Sequence, residues 1–322
     1  MEESARTSGP VLLAVSFPRT AGADRDAEQQ LRDGYGALTA IITGAHATST
    51  ELSTAYGELG KLFMAAELHD SAEPCLLNAT TLLPEDPRWT YYLAHLYKRK
   101  GDLTKSASYF ERTLAVQPNN VAALWWLGTM YVEQGRPRDA ESLFTRALAL
   151  QPGALSAVYG LGRAALARRD YAKAVEYFEQ VLAMNARALA AHYPLGLAYR
   201  GLGQIARAQA HLQQRSHMEI LPIDPLMNEL DGLLRSVTAY QDRGMRASLA
   251  GNWPEAVTQF RHAAELSPDN AAVRLDLSTS LLQAGDAKGA LAEAREALRI
   301  APADARALRL VNALAVVERA RP

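Results

Sequence analysis

Residues 121–154 read VAALWWLGTMYVEQGRPRDAESLFTRALALQPGA and carry two apolar stripes at helical spacing, one on each side of a glycine. In the first half Leu124, Leu127, Gly128 and Tyr131 are spaced 3, 1 and 3, and in the second half Ala140, Phe144 and Ala147 are spaced 4 and 3. Both spacings repeat near 3.6 residues, so each half predicts an amphipathic helix, and two short apolar faces in tandem must bury each other. Gln134, Gly135 and Arg136 separate the halves; glycine ends a helix in the left-handed conformation that other residues reach at a cost. Pro152 cannot continue the second helix and closes the unit.

The same pattern recurs every 34 residues. One step back lie Leu93, Ala94, Tyr97, Phe110 and Pro118, and a second step gives Tyr56, Leu59, Gly60, Phe63, Ala72, Leu76, Ala79 and Pro84. Forward steps give Leu161, Gly162, Ala174 and Phe178, then Leu195, Gly196, Tyr199, Ala208 and Leu212. After a gap the period resumes with Gly244, Ala256, Phe260, Ala263 and Pro268, and with Leu277, Ser278, Leu281, Ala290, Ala297 and Pro302. Residues 53–222 are five times 34 and residues 237–304 are two times 34, leaving 52, 14 and 18 residues outside. The small residue at Gly60, Ala94, Gly128, Gly162 and Gly196 lets paired backbones approach closely. Departures are Ala186 in place of a proline, the weak second half of unit five after Leu212, and Arg243 at an apolar position of unit six.

These residues resemble the tetratricopeptide repeat, whose Trp, Leu-Gly, Tyr, Ala, Phe and Pro pattern they follow across 238 of 322 residues. The resemblance implies an all-α fold, a right-handed α-solenoid of stacked antiparallel helix pairs, used as a scaffold in many unrelated functions. Around it the chain divides into a flexible segment (1–24), a capping helix (25–52), repeats one to five (53–222), an inserted linker or helix extension (223–236), repeats six and seven (237–304) and a terminal helix (305–322). Leu31, Tyr35, Leu38 and Ile42 stand at helical spacing before Gly44 and form the cap of a solenoid whose first repeat lacks a predecessor. The terminal helix carries Leu308, Leu310, Val311, Ala313, Leu314, Val316 and Val317 with almost no polar face, which leaves two readings: a natural chain that continues, or self-association through this end. In the break, Pro222, Asp224 and Pro225 predict a helix start, with the carboxylate as cap and proline at the first position. No proline follows through Leu249, so this helix could fuse with the first helix of repeat six into one rod. A passive insertion, a hinge and a flap over the groove all remain open.

Composition sets limits. The chain is 48% hydrophobic and 21% charged, which excludes a disordered or collagen-like chain. Its 34 Lys and Arg against 35 Asp and Glu give a net charge of −1, so no global field draws in nucleic acid or an anionic membrane. The single cysteine, Cys75, cannot close an internal bridge. The apolar stretch Val11–Phe17 is short for an export signal and follows Glu2, Glu3 and Arg6, which favours the cytoplasm over the periplasm. No run of about 18 apolar residues occurs, so no spanning helix is expected and the chain reads as soluble.

No catalytic set emerges. Gly160–Ala165 and Gly201–Ala206 both spell Gly-x-Gly-x-x-Ala, but neither follows a strand and the repeat itself demands their glycines. Histidines 46, 69, 95, 192, 211, 217 and 262 form no pair at ligand spacing; His211 and His217, six apart, point to different faces. Cys75 sits beside Leu76 and Leu77 and reads as a packed residue, and the Asn78-Ala79-Thr80 sequon falls inside a helix by chance. Neither a metal nor a cofactor is expected.

A candidate binding face does emerge. Each first helix leaves a second stripe beside its packing stripe, and its fifth position holds Tyr91, Trp125, Tyr159 and Tyr193, each 34 residues from the last. The ninth position holds Lys61, His95, Thr129, Arg163 and Leu197; Arg88, Lys98, Arg99 and Arg200 fall on or beside the stripe, with Glu58 and Glu133 as the nearby acids. The family resemblance implies that this stripe lines the concave surface receiving an extended peptide or partner helix. Rings offer contact area at little entropy cost and Arg or Lys pairs with carboxylates, so an acidic or aromatic-containing protein segment would suit it. Repeat seven offers only Leu275, Thr279 and Leu282, which concentrates binding in the first five. Simple packing of the rings against neighbouring repeats, with the basic residues as a solvated face, is the structural alternative. Other functional readings are a single-stranded nucleic-acid reader, which the charge balance argues against, a non-catalytic subunit of an enzyme assembly, and a holder of a planar cofactor between the rings and His95.

Overall fold

The computed structural model describes residues 10–19, 25–44, 46–214 and 220–319, with 316–319 as backbone. Among the described residues every regular element is helical. In chain order they are α1 (Arg25–Thr43), α2 (Ser49–Ala65), α3 (His69–Leu82), α4 (Pro87–Arg99), α5 (Leu103–Val116), α6 (Val121–Glu133), α7 (Pro137–Leu150), α8 (Leu155–Ala167), α9 (Tyr171–Met184), α10 (His192–Gly201) and α11 (Ile205–Leu212). They continue as α12 (Pro225–Leu233), α13 (Val237–Leu249), α14 (Trp253–Leu266), α15 (Ala271–Gln283), α16 (Ala287–Ile300) and α17 (Ala305–Arg319). Two compact units divide the chain: the described residues of 1–18 and 34–231, and those of 19–33 and 232–322.

In the larger unit α2 to α11 form five helix pairs, and each helix packs on the next. First helices also touch the first helix of the neighbouring repeat, α2 with α4, α6 with α8 and α8 with α10, whereas second helices make no comparable contact. The first helices therefore lie closer together and line the tighter side of the stack.

Local chemistry explains the regularity. Asp86, Asn120, Asp102 and Asp170 cap α4, α6, α5 and α9, each side chain accepting from a backbone N–H of the first turn. Thr48 and Glu51 form a reciprocal capping box at α2. At Gly128 an added Cβ would lie 2.7 Å from Phe144, so glycine there sets the spacing of α6 and α7. The turns between paired helices place residues 101, 135 and 203 at positive φ, all glycine, and residues 67 and 169 at φ of 59° and 61°, where the sequence has Glu67 and Arg169. A left-handed side chain costs about 1–2 kcal/mol, and glycine gives back about 0.5–1 kcal/mol in chain entropy. Arg169→Gly is therefore expected to stabilise the larger unit by about 0.5–1 kcal/mol, read as a higher urea midpoint at unchanged slope; an unchanged midpoint would contradict this.

The segment expected to be flexible ahead of α1 is tied down where it is described. Leu13 N–H donates to Asn78 Oδ1 at 2.7 Å and Asn78 Nδ2 donates to Leu13 O at 2.9 Å, while Phe17 meets Tyr35 edge-on at 5.6 Å. Asn78 is thus a buried backbone clamp. The later half of α1 lies on α2, Gly34 being close enough to Leu62 that a Cβ would reach 2.6 Å.

The smaller unit contains α13 to α17 around Phe260, Leu277, Leu281, Leu291 and Leu314. Leu310 and Val311 of α17 also pack inward, while Arg306, Leu308, Arg309 and Asn312 face outward. The side chains of Val316 and Val317 lie outside the described residues. The rod that could have run from Pro225 through Leu249 does not form: α12 ends at Leu233, and Ser236, at φ −133° and ψ 159°, accepts from Ala239 N–H to start α13. An extended Ser cap breaks the helix as effectively as a proline would.

Candidate functional site

The predicted face lies on α2, α4, α6, α8 and α10, and burial along its aromatic row is graded. Tyr91 is 1% and Trp125 3% exposed, Tyr159 is half-buried and Tyr193 is 46% exposed. The first three rest on the phenylalanine of their own repeat: Tyr91 on Phe110 at 5.6 Å, Trp125 on Phe144 at 6.4 Å and Tyr159 on Phe178 at 5.6 Å. Trp125 also donates Nε1–H to Ser156 O at 2.8 Å, tying α6 to α8. Packing on the repeat core thus accounts for much of this row's regularity.

The break between repeats five and six covers part of the same face. Its described portion begins at Ile220, which packs on the cluster around Val158 and Leu195. The Asp224 carboxylate then enters a cradle of rings: Oδ2 accepts from Tyr91 Oη at 2.5 Å and from Trp126 Nε1 at 2.9 Å, with His95 Nε2 at 3.6 Å. Its other oxygen accepts from Met227 N–H at 3.2 Å and caps α12. Leu226 and Met227 pack on the cluster of Tyr91, Trp125 and Trp126, and Leu226 O accepts from Tyr92 Oη at 3.2 Å. Farther along, Glu229 reaches Lys61 Nζ at 2.5 Å, which also bonds Glu58 at 2.9 Å. In the larger unit the described part of the break lies against the face.

Sequence reading singled out Trp125 and missed Trp126, Tyr92 and Asp224. Asp224 was legible as a helix cap, but that role occupies only one of its oxygens.

The basic residues are mostly engaged. Arg88 pairs with Asp86 at 2.6 Å and lies over the Trp89 ring, Lys98 Nζ sits 4.5 Å from the Trp126 centroid, and Arg99 donates to Met64 O at 3.3 Å. Arg163 stands 3.9 Å from Glu133. Arg200 is exposed and, with Leu166, Arg169, Tyr171 and Leu197, borders a shallow cavity of about 340 Å³ at the repeat-four to repeat-five end. Residues 224–229 therefore cover the face on repeats one to three, Ile220 packs at repeats four and five, and Tyr193 and Arg200 keep exposed area there.

Burial shapes the protonation of the covered part. It pushes the Tyr91 hydroxyl well above its ordinary range, the Asp224 carboxylate adding to the shift, so Tyr91 stays a donor. Burial, then Lys98 and Arg99, hold His95 well below the ordinary imidazole value. As pH falls through that value the unfolded chain gains a proton that folded His95 refuses, so stability is lost on acidification until the folded pKa is reached. His69 and His192 are depressed by burial in the same direction. The urea midpoint is expected to fall between pH 7.5 and 5.5, and His95→Phe to flatten that slope; an equal slope in the variant would exclude His95 as a source.

Cys75 is fully buried and its thiol is pushed up to about 12 by burial, which leaves no thiolate for chemistry near neutral pH. His192 and His211, 19 apart in sequence, stack with Nδ1 atoms 2.8 Å apart, a pairing that separation within one helix does not reveal. Among the described residues no three His, Cys, Asp or Glu side chains gather as a metal site, and no helix is long and apolar enough to cross a membrane.

A family model described as tetratricopeptide repeat matches residues 58–112, 93–155, 128–188 and 159–217, and a second of the same description matches 247–314. No curated protein matches the sequence. Among solved structures, a tetratricopeptide repeat protein from Parabacteroides merdae is 15% identical over 80% of this chain and 99% of its own, with a TM-score of 0.48. Pseudomonas aeruginosa pilF is 16% identical over 82% and 99%, with a TM-score of 0.43. YrrB, described as a TPR protein with an unusual peptide-binding site, is 16% identical over 73% and 96%, with a TM-score of 0.35. At these values neither partner nor activity is carried across to this chain.

Proposed function

The chain belongs to the tetratricopeptide repeat family, and from that premise we propose that it is a non-catalytic interaction scaffold whose first-helix face receives an extended protein segment. One observation carries this reading: the face already accommodates a polypeptide, residues 224–229, through a carboxylate on Tyr91 and Trp126, apolar contacts, and a lysine-bound acid. A surface that satisfies a carboxylate, a carbonyl and two apolar side chains of a peptide is built for peptide chemistry. The row on repeats four and five, where Tyr159 and Arg163 are half-buried and Tyr193 and Arg200 exposed, supplies rings and guanidinium groups for an acidic or aromatic-containing partner. A nucleic-acid reading is disfavoured because the chain's net charge is −1 and Lys61 and Arg88 are each opposite a carboxylate.

Trp125 and Tyr91 are sealed in the core, so replacing them would confuse binding with stability. The informative variant is Arg163→Ala, Tyr193→Ala, Arg200→Ala, which alters side chains with exposed area. Affinity capture by this variant is expected to lose the partner at wild-type helicity. Undiminished capture would refute the groove assignment.

A further inference from the structure

We propose that residues 224–229 are a built-in occupant of the repeat one-to-three face, and that the external partner is a protein segment bearing the same signature. That signature is a carboxylate immediately before a short helix, two consecutive apolar residues in its first turn, and a second carboxylate one turn on. This inference rests on the scaffold reading and names the partner's chemistry.

The signature is read from the contacts. Asp224 divides its oxygens between capping α12 and accepting from Tyr91 and Trp126, so helix start and ring cradle are recognised together. Leu226 and Met227 fill the apolar floor beside Trp126, and Glu229 meets Lys61, which is 4% exposed. The segment runs from the repeat-four and repeat-five cluster at Ile220 to repeat one at Glu229, opposite to the order of the repeats. Its outer side leaves Leu221 48% and Ile223 74% exposed, so the contacts with the face are those of Asp224, Leu226, Met227 and Glu229. A tethered segment has an effective concentration of about millimolar, so an isolated mimic of equal intrinsic affinity competes poorly. A partner that outcompetes it must reach farther, and the exposed area of Tyr193 and Arg200 lies along the same face. Apparent affinity falls in proportion to the fraction of molecules whose face is uncovered.

The test uses the full chain and a fluorescein-labelled synthetic peptide of residues 220–233, ILPIDPLMNELDGL. Fluorescence anisotropy is expected to show at least about tenfold tighter binding to the Leu226→Ser, Met227→Ser chain than to the wild type, because the substitutions weaken the internal occupant and leave the face intact. The Asp224→Asn form of the peptide is expected to lose at least about tenfold on that same chain. Should the serine variant lose helicity, Asp224→Asn in the chain, which preserves volume, replaces it with the same expected ordering. Equal affinity for wild-type and variant chains, or no binding to either variant at wild-type helicity, would overturn the proposal. If the peptide fails while capture still depends on Arg163, Tyr193 and Arg200, the signature is wrong and the scaffold reading stands. If capture ignores those residues, the scaffold reading fails on its own account.

Discussion

Trp89→Ala is expected to cost the larger unit about 3–5 kcal/mol, the range for deleting a large buried aromatic. Trp89 is wholly buried, its Nε1–H donates to Ser53 Oγ at 3.0 Å, and its ring lies against Gly57 so closely that a Cβ there would sit 2.3 Å away. The indole thus joins α4 to α2 across the boundary of the first two repeats, the place where a one-dimensional array is most easily split. Gly57→Leu should also be strongly destabilising, because the indole has no room to retreat. In the double variant the new leucine partly fills the space vacated by tryptophan, so the combined loss should be smaller than the sum by more than 1 kcal/mol, a coupling typical of residues in direct contact. Urea unfolding of the four proteins measures this, and simple additivity would contradict the packing described.

Asp224→Leu has the next largest expected effect. It removes the acceptor for two buried donors, Tyr91 Oη and Trp126 Nε1, and each unpaired buried donor costs about 1–3 kcal/mol. It also removes the cap of α12, worth about 1 kcal/mol. A total loss of about 3 kcal/mol or more is expected if the segment remains seated. Adding Tyr91→Phe and Trp126→Phe to Asp224→Leu removes the donors as well and should recover part of that loss, since an apolar set of similar shape leaves nothing unsatisfied. A triple variant less stable than Asp224→Leu alone would show that packing of the indole, and not its hydrogen bond, holds the segment.

The repeat architecture was legible because each repeat writes its own helix spacing, turn and stop into the sequence. The 34-residue register places glycine at 101, 135 and 203 and predicts where the chain turns left-handed, and the structure keeps that conformation at Glu67 and Arg169, where the glycine signal is absent. The candidate face was legible only as a row of positions. Which rings the core would absorb was not, because burial of Tyr91 and Trp125 depends on Phe110 and Phe144 and on a segment far along the chain. The bond from Tyr91 to Asp224 spans 133 residues and lies where periodicity stops, so no spacing rule reaches it. Asp224 announces a helix start through its neighbour Pro225, but nothing local announces that its second oxygen faces two rings. The clamp between Leu13 and Asn78 escaped for the same reason: each residue looks ordinary in its own surroundings.

Site-specific photo-crosslinking on the full chain tests the central claim most directly. A benzophenone amino acid at Leu197, on the repeat-five part of the first-helix face, is compared with one at Gln180, exposed on the second helix of repeat four. Protein adducts are expected from position 197 and not from position 180. Adducts forming equally at both positions, or only at 180, would contradict the assignment of this face as the docking surface.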